Sequence, residues 1–257
     1  MAVQKAQPDD LISVINNRKH YIKVGNVFLK TPMGNLIEAP SSSLCDRIKA
    51  DFENQGDIVI DNGIVKEPLV LSAYVLASTA QDFMEGNSDS FSRDFLGYLH
   101  DDPVFSPTAG HPIVSMYQVA QQGVVATFLQ ENGLDLKVLK QYNEEELEKL
   151  LTLFLKVLDG FSPFQKSALV NMSWPHGGQF VATSMYLLGR ITSKEWAQLI
   201  FSRTPEVCRI VGEEPIGWMS SITSDASEED QEQIIDSLIE DYEIECRIAE
   251  RFFEAMR

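Results

Sequence analysis

Basic residues, histidine and cysteine are all thin in this sequence of 257 residues, and each shortage removes a class of function. Lys and Arg total 21 against 38 Asp and Glu, a formal net charge of -17 at pH 7. A nucleic-acid binder needs clustered Lys and Arg to displace phosphate counterions, so nucleic acid is not an expected partner. The same field disfavours an anionic membrane surface, and it repels other acidic chains, so a monomer is expected. The three cysteines, Cys45, Cys208 and Cys246, are odd in number and far apart. That argues against a disulfide framework and suits a reducing compartment. Apolar runs are broken by charge or Gly within about ten residues, short of what a membrane span requires, so no membrane insertion is expected. The N-terminal stretch has neither a secretory apolar core nor an Arg-rich, acid-poor presequence pattern. A cytoplasmic location is expected, or the mitochondrial matrix for a processed organellar form.

Catalytic signatures are missing as well. There is no Gly-x-x-x-x-Gly-Lys phosphate loop, no Gly-x-Gly-x-x-Gly fingerprint and no Gly-x-Ser-x-Gly nucleophile elbow. Cys-x-x-Cys and His-Glu-x-x-His spacings are absent, and His20, His100, His111 and His176 are widely separated, so no metal or cofactor is expected. One segment, Ser173 to Gly178, contains a His-Gly-Gly that resembles the oxyanion loop of some esterases. A hydrolase using Ser173 and His176 is therefore an alternative, but such a loop should follow a strand and precede a separate nucleophile. The simpler reading is that the glycines serve close packing around a break at Pro175. Binding, not catalysis, is the expected activity.

What is present is a chain in two regimes. From His20 to Pro40 apolar and polar residues alternate, with Ile22 and Val24 on one period and Val27 and Leu29 on another, and Gly25-Asn26 and Gly34-Asn35 as turns. Ser43 and Asp46 are spaced like a helix cap ahead of Leu44, Ile48 and Phe52, with Gly56 as the stop. Residues 57–68 predict more extended chain around Asn62-Gly63. After Pro68 the pattern is helical. Helices are predicted over Leu69–Phe83, Ile113–Gln130, Asn143–Asp159, from Pro163 until Pro175, over Gln179–Leu188, from a Thr192/Glu195 cap through Phe201, and over Glu228–Met256. The last carries Ile235, Leu238, Tyr242, Cys246, Ala249 and Phe253 on one face, with ten acids and no base between Asp225 and Glu245. The stretch from His100 to Pro112 holds three prolines and is predicted as loop. The fold class expected is α+β, with a small β-containing N-terminal domain over 1–84 and a larger, mainly α-helical C-terminal domain over 85–257.

Several segments, in order, resemble one family. They are Leu29-Lys30-Thr31-Pro32, Ala39-Pro40-Ser41, Phe52-Glu53-Asn54-Gln55-Gly56, Pro68-Leu69, Asp94-Phe95-Leu96-Gly97-Tyr98, Ser162-Pro163-Phe164 and Thr192 to Arg203. Their order and spacing resemble the assembly chaperones of the F-type ATP synthase, the ATP-twelve type that escorts the alpha subunit. Departures include Phe52 where the family has tryptophan and Leu99 where it has arginine. Of the acidic cluster that follows the Ser-Arg ending, only Glu206 matches. The resemblance implies the same two-part fold and a binding role, shielding the apolar surface of an unassembled alpha subunit without a cofactor. It implies Glu206 as a client contact, with Arg203 beside it. A generic helical protein-binding adaptor and a small-ligand carrier are the other readings. Trp174, Trp196 and Trp218 are expected as core or domain-packing residues and not as binding hot spots, a reading that exposure would reverse.

Overall fold

The computed structural model describes residues 4–7, 10–16, 19–55, 58–66, 68, 71–86, 88–99, 102, 104–105, 112–176, 179–200 and 228–255. The strands are β1 (Gln4–Ala6), β2 (Leu11–Asn16), β3 (Lys19–Val24), β4 (Val27–Phe28), β5 (Glu38–Ala39), β6 (Ile58–Asp61) and β7 (Ile64–Lys66). The helices are α1 (Ser42–Gln55), α2 (Ala73–Glu85), α3 (Ser88–Tyr98), α4 (Pro112–Glu131), α5 (Glu144–Gly160), α6 (Pro163–Ser173), α7 (Phe180–Leu187), α8 (Ser193–Ile200) and α9 (Glu228–Ala255). The fold is α+β. Two compact units are formed, the first from Met1–Ser88, Phe161–Asn171 and Arg247–Arg257, the second from Asp89–Gly160 and Met172–Cys246.

The first unit is built on two small antiparallel sheets, one ordered β1-β6-β7 and the other β2-β3-β4 with β5 paired to β3. The predicted turns hold. Gly25 has φ +57°, and Asn62 and Gly63 have φ +56° and +91°, the left-handed pair a two-residue hairpin requires. At Gly63 any side chain would also collide with the Phe28 carbonyl oxygen. Ile22, Val24 and Leu29 are buried as the alternation predicts, while Val27 is half-buried. Leu44, Ile48 and Phe52 form the buried stripe of α1, which packs on β2, β3, β5 and α2. That helix begins at Ser42, ahead of the predicted Ser43 cap, and the predicted stop, Gly56, lies outside the described residues.

Helix α2 starts later than the pattern predicts because its cap lies at Ser72, whose hydroxyl accepts from Val75 N at 3.2 Å. Asp51 of α1 accepts from Ala73 N at 2.6 Å and from Arg47 at 2.5 Å, satisfying another donor of the same helix end. Burial raises the Asp51 carboxyl above its ordinary value, against the pull of the Ala73 N–H and the Arg47 guanidinium. Ser167 of α6 donates to Leu76 O at 2.7 Å, and Phe164 stacks edge-on to Phe252 of α9 with centroids 5.9 Å apart.

In the second unit the caps follow the sequence closely. Asn143 and Glu146 exchange hydrogen bonds at the head of α5, and Leu150, Phe154 and Leu158 are its buried stripe. Thr192 and Glu195 do the same for α8. Gly133 and Gly189 take φ +73° and +69° at the ends of α4 and α7, where a left-handed residue closes a helix. Pro175 ends α6 at Ser173 and leaves a 3-10 turn over Trp174–His176.

The buried face of α9 differs from the prediction. Ile239, Tyr242, Cys246, Ala249 and Phe252 are buried, while Phe253 is half-buried and Phe252 takes its place. A step of three residues from Ala249 follows the 3.6-residue period as well as a step of four, and packing against Phe164 selects it. The side chains of Ile235 and Leu238 lie outside the described residues. Strands β1 and β2 and helix α3 have no counterpart among the predicted elements. Most of the predicted loop from His100 to Pro112 lies outside the described residues.

Candidate functional site

The motif Leu29–Pro32 is a junction of the first unit. Leu29 is buried. Lys30 donates its N–H to Gly63 O at 2.8 Å and accepts at its carbonyl from the Tyr74 hydroxyl at 2.9 Å. Tyr74 in turn accepts from Val65 N. The Thr31 hydroxyl donates to Asp82 at 2.6 Å, and Asn35 donates to the same carboxylate oxygen at 2.8 Å. One four-residue motif therefore ties the β6–β7 hairpin and α2 together. Its chemistry is structural, since all these polar groups meet each other. Around the Asp82 clamp, Met33, Leu36 and Met84 are exposed apolar side chains.

In the second unit the break at Pro175 has a consequence that the sequence did not disclose. Met172 and Ser173 end α6 fully buried, and the next residue, Trp174, is turned outward and 60% exposed. The Ser173 hydroxyl meets no hydrogen-bond partner among the described residues. Gly177, Gly178 and the His176 side chain lie outside them. Trp174 stands edge-on to Tyr98 of α3, with ring centroids 5.5 Å apart and planes at 86°. Tyr98 is 37% exposed and packs on Phe180, which packs on Phe95, which packs on Phe91. The three phenylalanines are buried. Two exposed aromatic rings are thus braced by a buried aromatic row, an arrangement with low entropy cost on binding and good area.

What holds Phe180 in place is a buried acid. Asp102 accepts from Val181 N at 3.0 Å and from Val104 N at 3.1 Å, so a carboxylate sits against the first turn of α7. Trp196 answers to the opposite description: it is fully buried, and its Nε1 donates to Thr183 at 3.0 Å. The expectation of a core tryptophan holds there and is corrected at Trp174. Trp218, Arg203 and Glu206 lie outside the described residues.

Burial also holds the Cys45 thiol above its ordinary value, so it is not an activated nucleophile. Among the described residues no three His, Cys, Asp or Glu side chains gather as a metal set. No helix among them is long and apolar enough to cross a membrane.

No family model matches the sequence, and no curated protein matches it. Solved structures do match the fold. Atp12 from Paracoccus denitrificans superposes with a TM-score of 0.58 at 14% identity, over 96% of this chain and 96% of that one. A variant of that protein gives 0.57 at the same identity and coverage. A protein from Agrobacterium tumefaciens, described as a candidate chaperone, gives 0.60 at 18% identity over 98% of this chain and 87% of that one. The chain has an Atp12-type fold carried by a divergent sequence.

Proposed function

We propose that this protein is an assembly chaperone of the F-type ATP synthase that binds the unassembled alpha subunit and covers its apolar surface until the subunit's proper partner replaces it. The observation that carries this reading is the Atp12-type fold over 96% of both chains. The braced pair Trp174 and Tyr98 supports it, because exposed, rigid aromatics are the side chains that anchor protein interfaces. The protein acts by association and needs neither a cofactor nor a metal. It acts as a monomer, in the bacterial cytoplasm or, for a processed organellar form, in the mitochondrial matrix. Glu206 and Arg203 are assigned to client contact on the strength of the motif that contains them.

The test is direct. Purified protein should suppress aggregation of the isolated alpha subunit at stoichiometric ratio without ATP, and should co-purify with it. Replacing Trp174 by Ala should weaken that association by roughly 30-fold, the cost of losing an aromatic anchor of about 2 kcal/mol, with little change in thermal stability. Glu206→Lys should weaken it as well. Failure to suppress aggregation at excess protein, together with capture of some other client from the cell extract, would mean a general adaptor instead.

A further inference from the structure

Among the described residues strand β2 ends its sheet, since the order is β2-β3-β4 and β5 pairs with β3. Which main-chain groups it leaves open follows from the register. The two-residue turn at Gly25-Asn26 makes Val24 and Val27 a hydrogen-bonded pair, and Leu29 N donates to Ile22 O at 2.8 Å. Ile22 and Val24 therefore direct their main-chain groups to the β4 side, and Tyr21 and Lys23 direct theirs to β2. Val14 and Ile12 lie opposite Tyr21 and Lys23 and take those bonds. Ser13 and Ile15 then point their N–H and C=O outward, along the free edge.

Edges of this kind are normally blunted by lysine, proline or a bulge. Strand β2 reads Leu-Ile-Ser-Val-Ile-Asn, with no charge and no proline, and its Ile12 and Ile15 are 51% and 68% exposed. A row of open donors and acceptors spaced for a strand is complementary to one thing, an extended backbone. Exposed isoleucines beside it favour an apolar segment. A net charge of -17 opposes a second copy of the same chain and admits a neutral or basic one.

We propose that β2 is a strand acceptor: an extended, apolar, non-acidic segment of the client adds to the sheet beside β2, hydrogen-bonding to Ser13 and Ile15. The identity of the client rests on the chaperone reading; the geometry of the edge does not. Strand addition gives main-chain affinity with loose side-chain demands, which suits a protein that must hold an incompletely assembled partner.

Residue-resolved hydrogen exchange on the full chain tests this with two probes, an end-blocked nine-residue peptide alternating Val and Thr, and the purified alpha subunit. Millimolar peptide is expected to slow exchange of the Ser13 and Ile15 amides at least tenfold and to leave Ile12 and Val14, already bonded to β3, unchanged. The same peptide N-methylated at alternate residues should have no effect, and Ile15→Lys should weaken peptide binding at least tenfold. Unchanged Ser13 and Ile15 exchange with the peptide, or equal slowing by the methylated form, overturns the proposal. Slowing that depends on protein concentration without peptide assigns the edge to a second copy and overturns it also. Alpha subunit that binds without slowing these amides overturns it and leaves the chaperone reading standing. Peptide protection without alpha-subunit binding supports the acceptor edge and sinks that client.

Discussion

Thr31 is fully buried, and its hydroxyl both donates to Asp82 and accepts from Asn35 N at 3.2 Å. Thr31→Val keeps the shape and removes both bonds, leaving polar groups short of a partner. A loss of about 1–3 kcal/mol in urea unfolding is expected, with Thr31→Ser close to the parent. The motif that carried the family resemblance is thus explained by folding, while nothing in its pattern said which helix it would clamp. Asp51 makes a pH prediction. Its carboxyl is raised by burial in the folded state, so the folded state holds that proton more tightly than the unfolded chain does. The contribution of this group is therefore greatest below the ordinary carboxylate range near pH 4 and declines as pH rises through the raised value. Asp51→Asn should flatten that decline in a series of thermal midpoints. Trp174 shows the limit of reading single residues, because the same residue type is buried at Trp196 and exposed twenty-two positions earlier.

Elements are where sequence and structure agree best. The boxes Asn143/Glu146 and Thr192/Glu195 are local, since both partners of each lie within one turn, although Glu146 also takes a hydrogen bond from Lys137. Asn143→Ala is expected to cost about 1 kcal/mol, read from equilibrium unfolding. The glycine stops at Gly133 and Gly189 and the break at Pro175 are legible for the same reason. Helix α3 has no predicted counterpart because only two buried apolar residues, Phe91 and Phe95, one turn apart, mark its covered face, too short a run to fix a helical period. Strand β2 was missed because LISVIN mixes its faces: its buried Leu11 is followed by exposed Ile12. Asp102 carries no sequence signal either. It caps α7 from 79 residues away, and Asp102→Ala should cost about 3 kcal/mol, the upper range for a hydrogen-bonded charge, in the unfolding of the second unit.

At the scale of the whole molecule, charge is the property that acts over distance. At pH 7 the surface repels its own copies, and near the isoelectric point of about 4.6 that repulsion is gone. Sedimentation should show a monomer at pH 7, with self-association growing as pH approaches 4.6, driven by exposed apolar side chains such as Trp174, Ile15 and Met33. Ile15→Lys should reduce that association.

Composition, periodicity and caps determined the α+β class, most helix limits and the turns, because those depend on neighbours within a few residues. A burial period says that a residue is covered and not by what. That Phe161–Asn171 and Arg247–Arg257 cluster with the N-terminal strands, that Trp174 faces outward beside Tyr98, and that β2 is an edge strand among the described residues were decided only by contacts between residues far apart in the chain. Those contacts are chosen by packing and by the satisfaction of buried polar groups, which no local pattern encodes. The scarcity of basic residues and of catalytic motifs points to binding; that Trp174, Tyr98 and Ile15 are exposed is set only by the tertiary structure.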